Sequence, residues 1–386
     1  MKKVLVTNVE IVQYTGSEIN CITIAEKFKK IGYEVYIGAL DFRQPLINET
    51  KESGFNFINL IDDEFDFSKV EFDIIWAQHS FLLDWLIFEK GVQAKKVVIS
   101  SLSPKEYLEC LPLYANDLNM ILANSMETKQ VLEREGAKNV QLFENYSFEK
   151  YFNRKIEVNE LKNIAVVSNH IPEEEKEAIR LLQNKGYNVD VYGIEGKKVY
   201  ITDEVLSNYD LIITIGKTVQ YSMSLAIPVY IYDKHGGPGY LTIENIEKNR
   251  EKNFSGRGFE NKTAIKICEE IEQNFNQALQ EKEEIKQYAY KNFCFEKIFD
   301  NFIEKIEKTS EIDLNKIKED YEKYNRNILL SRSVANYITC RTTNSMNERM
   351  TEKDKIIKSL TEQIHAIENS RAYKICKKIR KLFKKE

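Results

Sequence analysis

The chain has 386 residues and a mass of 45.2 kDa, more than one ordinary core of about 100–150 residues holds, so its length predicts two core-forming domains and an appendage. Its 42% hydrophobic and 11% aromatic content can fill such cores, and 15 Gly with 6 Pro is too little for a collagenous or Gly/Pro-rich disordered chain. A formal net charge of −4 argues against a whole-molecule nucleic-acid binder, because no basic excess is left to neutralise phosphates.

The total hides an asymmetry. Residues 371–386 hold eight bases and one acid, a net +7, which leaves −11 on the other 370 residues. The six cysteines (Cys21, Cys110, Cys268, Cys294, Cys340, Cys376) form no CxxC pair, a pattern of reduced cytosolic thiols. The opening MKKVLVTNVE is broken by Asn8 and Glu10 too early for a signal peptide. No stretch reaches the roughly 18 uninterrupted apolar residues of a spanning helix, so any membrane contact is expected to be peripheral.

Taken in chain order, KKVLVTNV (2–9) reads as a strand, and Ile19, Ile22, Ala25, Phe28 and Ile31 follow at helical spacing until Gly32 stops the helix. EVYIGAL, FNFINLI and FDIIWAQ (72–78) supply three more strands, the last apolar on both faces as a central parallel strand is. KKVVIS and NMILANS add two. This alternation predicts a doubly wound parallel sheet over residues 1–150.

Charged and polar residues dominate 145–161, and then the pattern restarts at LKNIAVVSNH. A helix with Pro172 near its first turn and Gly186 past its end is followed by the strands NVDVYG, DLIITIG (210–216) and IPVYIYD (227–233). The fold predicted is α/β, two tandem Rossmann-like domains, the second spanning 151–310, with an α-helical extension over 311–386. Ligands of such sheets bind outside the carboxyl ends of the strands. Beyond about 261 the chain reads as helical, and 292–308 places Phe295, Ile298, Phe299, Phe302, Ile303 and Ile306 on one face. Met346, Met350, Ile357, Leu360, Ile364 and Ile367 follow a/d-type spacing, with Lys353 interrupting it. That spacing fits a coiled coil joining like or unlike chains through 346–369, or a helix lying on its own chain.

IGKT (215–218) resembles the end of a P-loop, but the motif needs a Gly where Leu211 stands. What survives is Gly216 with Lys217 and Thr218 opening a helix, where free N–H groups and one ammonium can hold a diphosphate, or where the helix simply starts. His235, Gly236, Gly237 and Gly239 concentrate small residues after Asp233 in a segment read as a strand-to-helix loop, either a close approach to ligand or a tight turn. Arg257 in NFSGRG either binds an anion or braces its loop. His79 ends the fourth strand, where it can orient a hydroxyl or take its proton, or be hydrogen-bonded locally. Asn169 and His170 follow a strand in the matching place of the second domain. Gly16, with Ser17 and Glu18, enters a helix in a loop suited to phosphate or acceptor.

In their order, GSE (16–18), GYEVYI, DIIWAQH, ILANSMETKQVLEREGAKNVQLFEN, IAVVSNH, GKTVQYSMSLAIPVYIYD, HGGPGYLT, NFSGRG and NFCFEKIFDNF make residues 1 to about 305 resemble a GT-B glycosyltransferase, similar to the family-4 group that builds bacterial surface polysaccharides. The resemblance implies a nucleotide-sugar donor on the second domain near Lys217, Thr218 and the 233–239 loop, and a lipid-linked or glycan acceptor over the first domain near Gly16 and His79. It departs from the group at Tyr221, which stands where a donor-binding Glu is usual. That segment has no E-x7-E pair, so sugar or ribose recognition would differ. No DxD-like metal motif is evident. Neither a metal nor another cofactor is therefore expected, and helix N-termini with Lys217 would stabilise the leaving diphosphate.

Residues 370–386 read as an amphipathic helix with a basic face, which fits docking on an anionic cytoplasmic leaflet and a location on the inner face of the membrane, or a solvated or partner-binding tail. Three function classes fit: a glycosyltransferase, a non-catalytic GT-B subunit that positions a partner transferase, and a sugar-nucleotide epimerase or hydrolase. The basic tail speaks against the third, whose substrate is soluble.

Overall fold

The computed structural model describes residues 1–321, apart from 14, 51, 52 and 63, together with 337 and 350–364. The chain divides into two compact units, Met1–Ile328 and Leu329–Glu386.

Among the described residues the first unit holds two large, mainly parallel sheets and a two-stranded one (Glu10–Ile11 with Asp41–Phe42), the large ones as the alternation of apolar runs and helical periods predicts. In the first sheet, β1 (Lys3–Thr7), β2 (Glu34–Ala39), β3 (Asn56–Asn59), β4 (Glu71–Gln78), β5 (Gln93–Ser101), β6 (Met120–Ala123) and β7 (Val140–Leu142) lie in the order β3-β2-β1-β4-β5-β6-β7. The order reverses between β1 and β4, which pair in parallel through Val4–Ile74, Leu5–Ile75 and Val6–Trp76. The second sheet, with β8 (Asn163–Val167), β9 (Asn188–Tyr192), β10 (Leu211–Thr214), β11 (Val229–Asp233) and β12 (Gly236–Tyr240), runs β9-β8-β10-β11-β12. Its reversal lies between β8 and β10, so each sheet has one crevice at its carboxyl edge.

β12 is a difference from the sequence reading, which makes 233–239 a loop. It pairs antiparallel with β11, and its glycines are required by backbone contact. A Cβ on Gly237 would lie 2.0 Å from the Ile231 carbonyl oxygen, and one on Gly236, at φ +80°, 2.5 Å from that of Glu260. Only glycine lets these backbones approach so closely.

Six helices matter for the site: α1 (Gly16–Lys30), α2 (Met126–Arg134), α3 (Glu173–Asn184), α4 (Lys217–Ser224), α5 (Ala264–Phe293) and α6 (Phe295–Glu307). The helix read over 292–308 is thus two elements. Cys294, with φ −72° and ψ 115°, leaves helical geometry and separates the 30-residue α5 from α6. There the chain crosses between the sheets beside its other crossing at 147. The Ser147 N–H donates to the Phe293 carbonyl at 2.8 Å, and the Phe295 N–H donates to the Ser147 carbonyl at 2.9 Å.

Beyond that break, the apolar face of α6 packs on the first sheet. Phe302 meets Trp76 with ring centroids 4.8 Å apart and Phe143 at 6.2 Å, and Phe299 meets Phe28 at 5.0 Å, all edge-on. Edge-to-face packing of buried rings adds to the area they remove from water.

In the second unit, 350–364 form a helix with Met350, Ile357, Leu360 and Ile364 exposed. Met346, Ile367 and the basic segment 371–386 lie outside the described residues. No described helix is long and apolar enough to cross a membrane.

Because Phe302 is buried among four other aromatic rings, Phe302→Ala is expected to cost about 3–5 kcal/mol. Urea unfolding followed by tryptophan fluorescence checks this, and an unchanged midpoint would show that α6 is not bound to the first core.

Candidate functional site

A cavity of about 400 Å³ opens where the carboxyl edge of the second sheet faces the N-terminus of α1. Among the residues read from the sequence it gathers Gly16, Asn169, His170, Lys217, Thr218, Tyr221 and Asp233. Gly16 is the first residue of α1, and a Cβ there would meet nothing within 4 Å. The loop before it is held from inside by Glu18, a buried carboxylate. Glu18 Oε1 accepts from the Val12 and Gln13 N–H groups at 2.8 and 3.1 Å, and Oε2 from the Thr15 N–H and hydroxyl at 3.2 and 2.8 Å. Glu18 therefore shapes the loop and leaves Gly16 to face the cavity.

Across the cleft, Gly216 takes φ +62° and opens α4, a conformation that a residue with a Cβ adopts only with strain. Lys217 is next. Its ammonium lies 4.4 Å from the centroid of the Tyr146 ring and 5.7 Å from that of Tyr221, and no carboxylate among the described residues pairs with it. Desolvation pulls its pKa down to about 7. A cation held against aromatic faces at the start of a helix, without a carboxylate partner among the described residues, offers positive potential to an anion.

Tyr221, one turn further along α4, is buried against Tyr151 at 5.2 Å and Phe148 at 6.2 Å. Burial raises its hydroxyl well above the ordinary tyrosine value, and the neighbouring Tyr200, Tyr151 and Tyr146 raise it further. Where the resemblance leads one to seek a carboxylate, the structure has an aromatic wall. On the floor, Asp233 Oδ2 accepts from the Ser168 hydroxyl at 3.1 Å, and Ser168 Oγ also accepts from the His170 N–H at 3.0 Å. Asn169 Oδ1 accepts from the Ile194 N–H at 3.2 Å. Behind Asp233, burial first and then Asp233 and Glu174 push Glu175 up to about 8.

The remaining sequence-read residues lie elsewhere. His235 is exposed at the β11–β12 turn, and Gly236, Gly237 and Gly239 belong to β12. Arg257 reaches the other half of the molecule, where its guanidinium pairs with Glu127 in the first turn of α2. His79 is buried with φ +67° beside Glu109, Nε2 to Oε1 at 3.6 Å. Burial pulls His79 down to about 4, so it is neutral at pH 7, and burial pushes Glu109 up to about 7.

Sequence reasoning did not single out Tyr146, Ser168, Tyr192, Gly193 or Tyr200. Gly193 carried a signal, as a glycine directly after a strand. At φ +123° it brings β9 against β8, where a Cβ would meet the Ser168 carbonyl oxygen at 2.1 Å. Among the described residues no three His, Cys, Asp or Glu come together in a way that could hold a metal ion.

The lysine gives the site a measurable signature. Below about pH 7 folded and unfolded chains both hold the Lys217 proton, and the full cost of charging it in the fold is present. Between about 7 and the ordinary lysine value of 10.5 only the unfolded chain holds it, so the fold gains stability as pH rises. Lys217→Met is therefore expected to melt above the wild type at pH 6, with the gap closing by about pH 10. Calorimetric melting across that range checks this, and a gap independent of pH would mean a solvated ammonium.

Searches for family models and for curated proteins return no match to the chain. Solved structures do match. A glycosyltransferase from Rickettsia africae ESF-5 superposes with a TM-score of 0.55 at 15% identity, covering 80% of this chain and 99% of that one. An alpha-glucosyltransferase solved in complex with UDP and a 13-mer DNA gives 0.53 at 11% identity, covering 80% and 100%. At these identities the likeness is one of fold, and the fold is GT-B.

Proposed function

We propose that the protein is a glycosyltransferase that binds a nucleotide-sugar donor in the cleft and moves the sugar to a lipid-linked or glycan acceptor in the building of a cell-surface polysaccharide. The observation that carries this reading is Lys217, a desolvated cation with no carboxylate partner among the described residues, set at the start of α4 in a cavity shared with Gly16 of the opposite half. Departure of a nucleoside diphosphate builds negative charge as the sugar takes on oxocarbenium character. The α4 N-terminus and the Lys217 ammonium supply fixed positive potential at that place. Tyr192 and Tyr200 line the same cavity. Their rings offer flat apolar faces to a nucleobase. A bound phosphate would provide a counter-charge to this lysine and raise its pKa again.

The test is calorimetric titration with UDP, GDP, CDP and dTDP and their sugars, followed by assay of sugar release. One nucleotide is expected to bind with proton uptake at pH 8, where free Lys217 is mostly neutral. Lys217→Ala is expected to weaken it by about ten- to a hundredfold, the loss of a hydrogen bond to a charged group. Binding by no nucleotide, or binding that ignores the substitution, would overturn the reading. Binding without transfer would favour a non-catalytic subunit, the class that Tyr221 in place of a carboxylate also suits.

A further inference from the structure

A second cavity, of about 290 Å³, lies where α6 faces β6 and β7, beside the end of α5. Part of its lining is apolar and buried, with Met120, Leu122, Phe143 and Phe302. Three exposed lysines also line it: Lys291 from the last turn of α5, and Lys297 and Lys305 from α6. Lys297, Asn301 and Lys305 are spaced four residues apart, so they follow one line along the helix for about 12 Å. Lys297 Nζ lies 3.5 Å from the centroid of the Tyr290 ring, and Lys305 Nζ donates to Gln141 Oε1 at 3.1 Å. None of the three lysines pairs with a carboxylate among the described residues.

The acids of α6 are engaged elsewhere. Glu296 accepts from the Glu149 N–H at 2.9 Å, Asp300 pairs with Lys27 at 3.2 Å, Glu304 with Lys308 at 2.6 Å and Glu307 with Lys2 at 3.0 Å. Glu144 is the one carboxylate among the described residues that line the cavity, and Arg250 neutralises it through bonds of 2.9 and 2.6 Å. A chain of net charge −4 thus sets three ammoniums around one cavity with no carboxylate left to pair with them. Like charges so placed repel, and an anion between them removes that cost. A phosphomonoester brings nearly two negative charges and three acceptor oxygens to three ammonium donors. A carboxylate brings one charge and is best matched by the arginine fork, and no arginine is among the described residues that line the cavity. The buried apolar lining suits carbon attached to the phosphate, which inorganic phosphate lacks.

We propose that this cavity binds an organic phosphate, with the phosphoryl group among Lys291, Lys297 and Lys305 and the carbon part on Leu122, Phe143 and Phe302. No residue lines both this cavity and the one that holds Lys217, and the inference does not rest on the function proposed above. A soluble phosphomonoester and the headgroup of a phospholipid present the same chemistry here. Asn292 also lines the cavity and, like Glu144, accepts from Arg250, its Oδ1 from Nη1 at 3.3 Å. The occupant therefore lies beside residues that hold Arg250 in place.

The test uses the full chain carrying Lys217→Ala, which takes the other unpaired lysine out of the experiment. Phenyl phosphate, inorganic phosphate and benzyl alcohol are titrated in while the side-chain signals of ¹³C-labelled lysines are followed by NMR, with Lys291, Lys297 and Lys305 assigned by single Lys→Gln variants. Phenyl phosphate is expected to move all three signals and to bind at least about threefold more tightly than inorganic phosphate, because it also covers the apolar lining. Benzyl alcohol is expected to move none of them. Lys297→Gln combined with Lys305→Gln is expected to weaken phenyl phosphate about tenfold or more, and to melt no lower than the parent because no ion pair is lost. Lys291→Gln, a smaller change, is expected to act in the same direction and stands in if the double variant does not fold. No shift with either phosphate, equal binding of the two, binding of benzyl alcohol as tight as that of phenyl phosphate, or binding indifferent to these substitutions would overturn the proposal. Equilibrium dialysis against phosphatidylcholine vesicles with and without phosphatidic acid then distinguishes the sources. Release of bound phenyl phosphate only by the vesicles that contain phosphatidic acid identifies a lipid headgroup as the occupant, and its retention identifies a soluble phosphate.

Discussion

The two halves of the GT-B fold meet through a pair of chain crossings that are hydrogen-bonded to each other, at Ser147 and at Cys294. The Ser147 hydroxyl also lies 2.6 Å from that of Ser224, the last residue of the helix that begins with Lys217. The crossings and Lys217 thus lie at the two ends of one eight-residue helix. Further links fix the opening of the cleft: Arg250 makes a bidentate pair with Glu144 at 2.9 and 2.6 Å, Asn145 donates to Asn253 at 2.9 Å, and Arg257 pairs with Glu127. Bidentate charge-assisted pairs hold geometry as well as energy. Arg257, read from the sequence as an anion binder or a loop brace, joins the two halves.

This frame leaves the cleft with an unusual charge balance. Carboxylates on its periphery are satisfied internally, Glu18 by the loop before α1 and Asp233 by Ser168. The lysine is not. It is kept by aromatic contacts that stabilise a cation less than an ion pair would, and the fold bears a residual cost that a bound anion would offset. The first sheet shows the same physics in neutral form, with hydroxyl and amide groups buried at the strand ends and lacking partners among the described residues. Sites that bind ligands are where a fold departs from internal satisfaction.

Most of the sheet structure was legible because central parallel strands are apolar on both faces, and EVYIGA, EFDIIWAQ and LIIT are short apolar runs bounded by turns. The HGGPG segment was not legible as a strand. Glycines mark close backbone approach without saying whether the approaching group is a ligand or, as here, the carbonyls of Ile231 and Glu260. The break at Cys294 was hidden for a related reason, since no Gly or Pro marks it and the crossing at Ser147 imposes it from 147 residues away. Strand-end position was enough to name Lys217, Thr218, Asn169, His170 and Asp233, which the cavity gathers. It placed His79 at a strand end too, but the covering loop with Glu109 comes from a different strand and no local pattern announces it.

The account stands on Lys217 being a desolvated, unpaired cation that awaits an anion. Its side-chain signal in a selectively ¹³C-labelled lysine sample, assigned with Lys217→Met, can be titrated by NMR with and without the nucleotide that binds. The account predicts a midpoint near 7 in the free protein and a rise of at least one unit when the nucleotide is bound. A free-protein midpoint near the ordinary lysine value of 10.5, unmoved by any nucleotide, would contradict it.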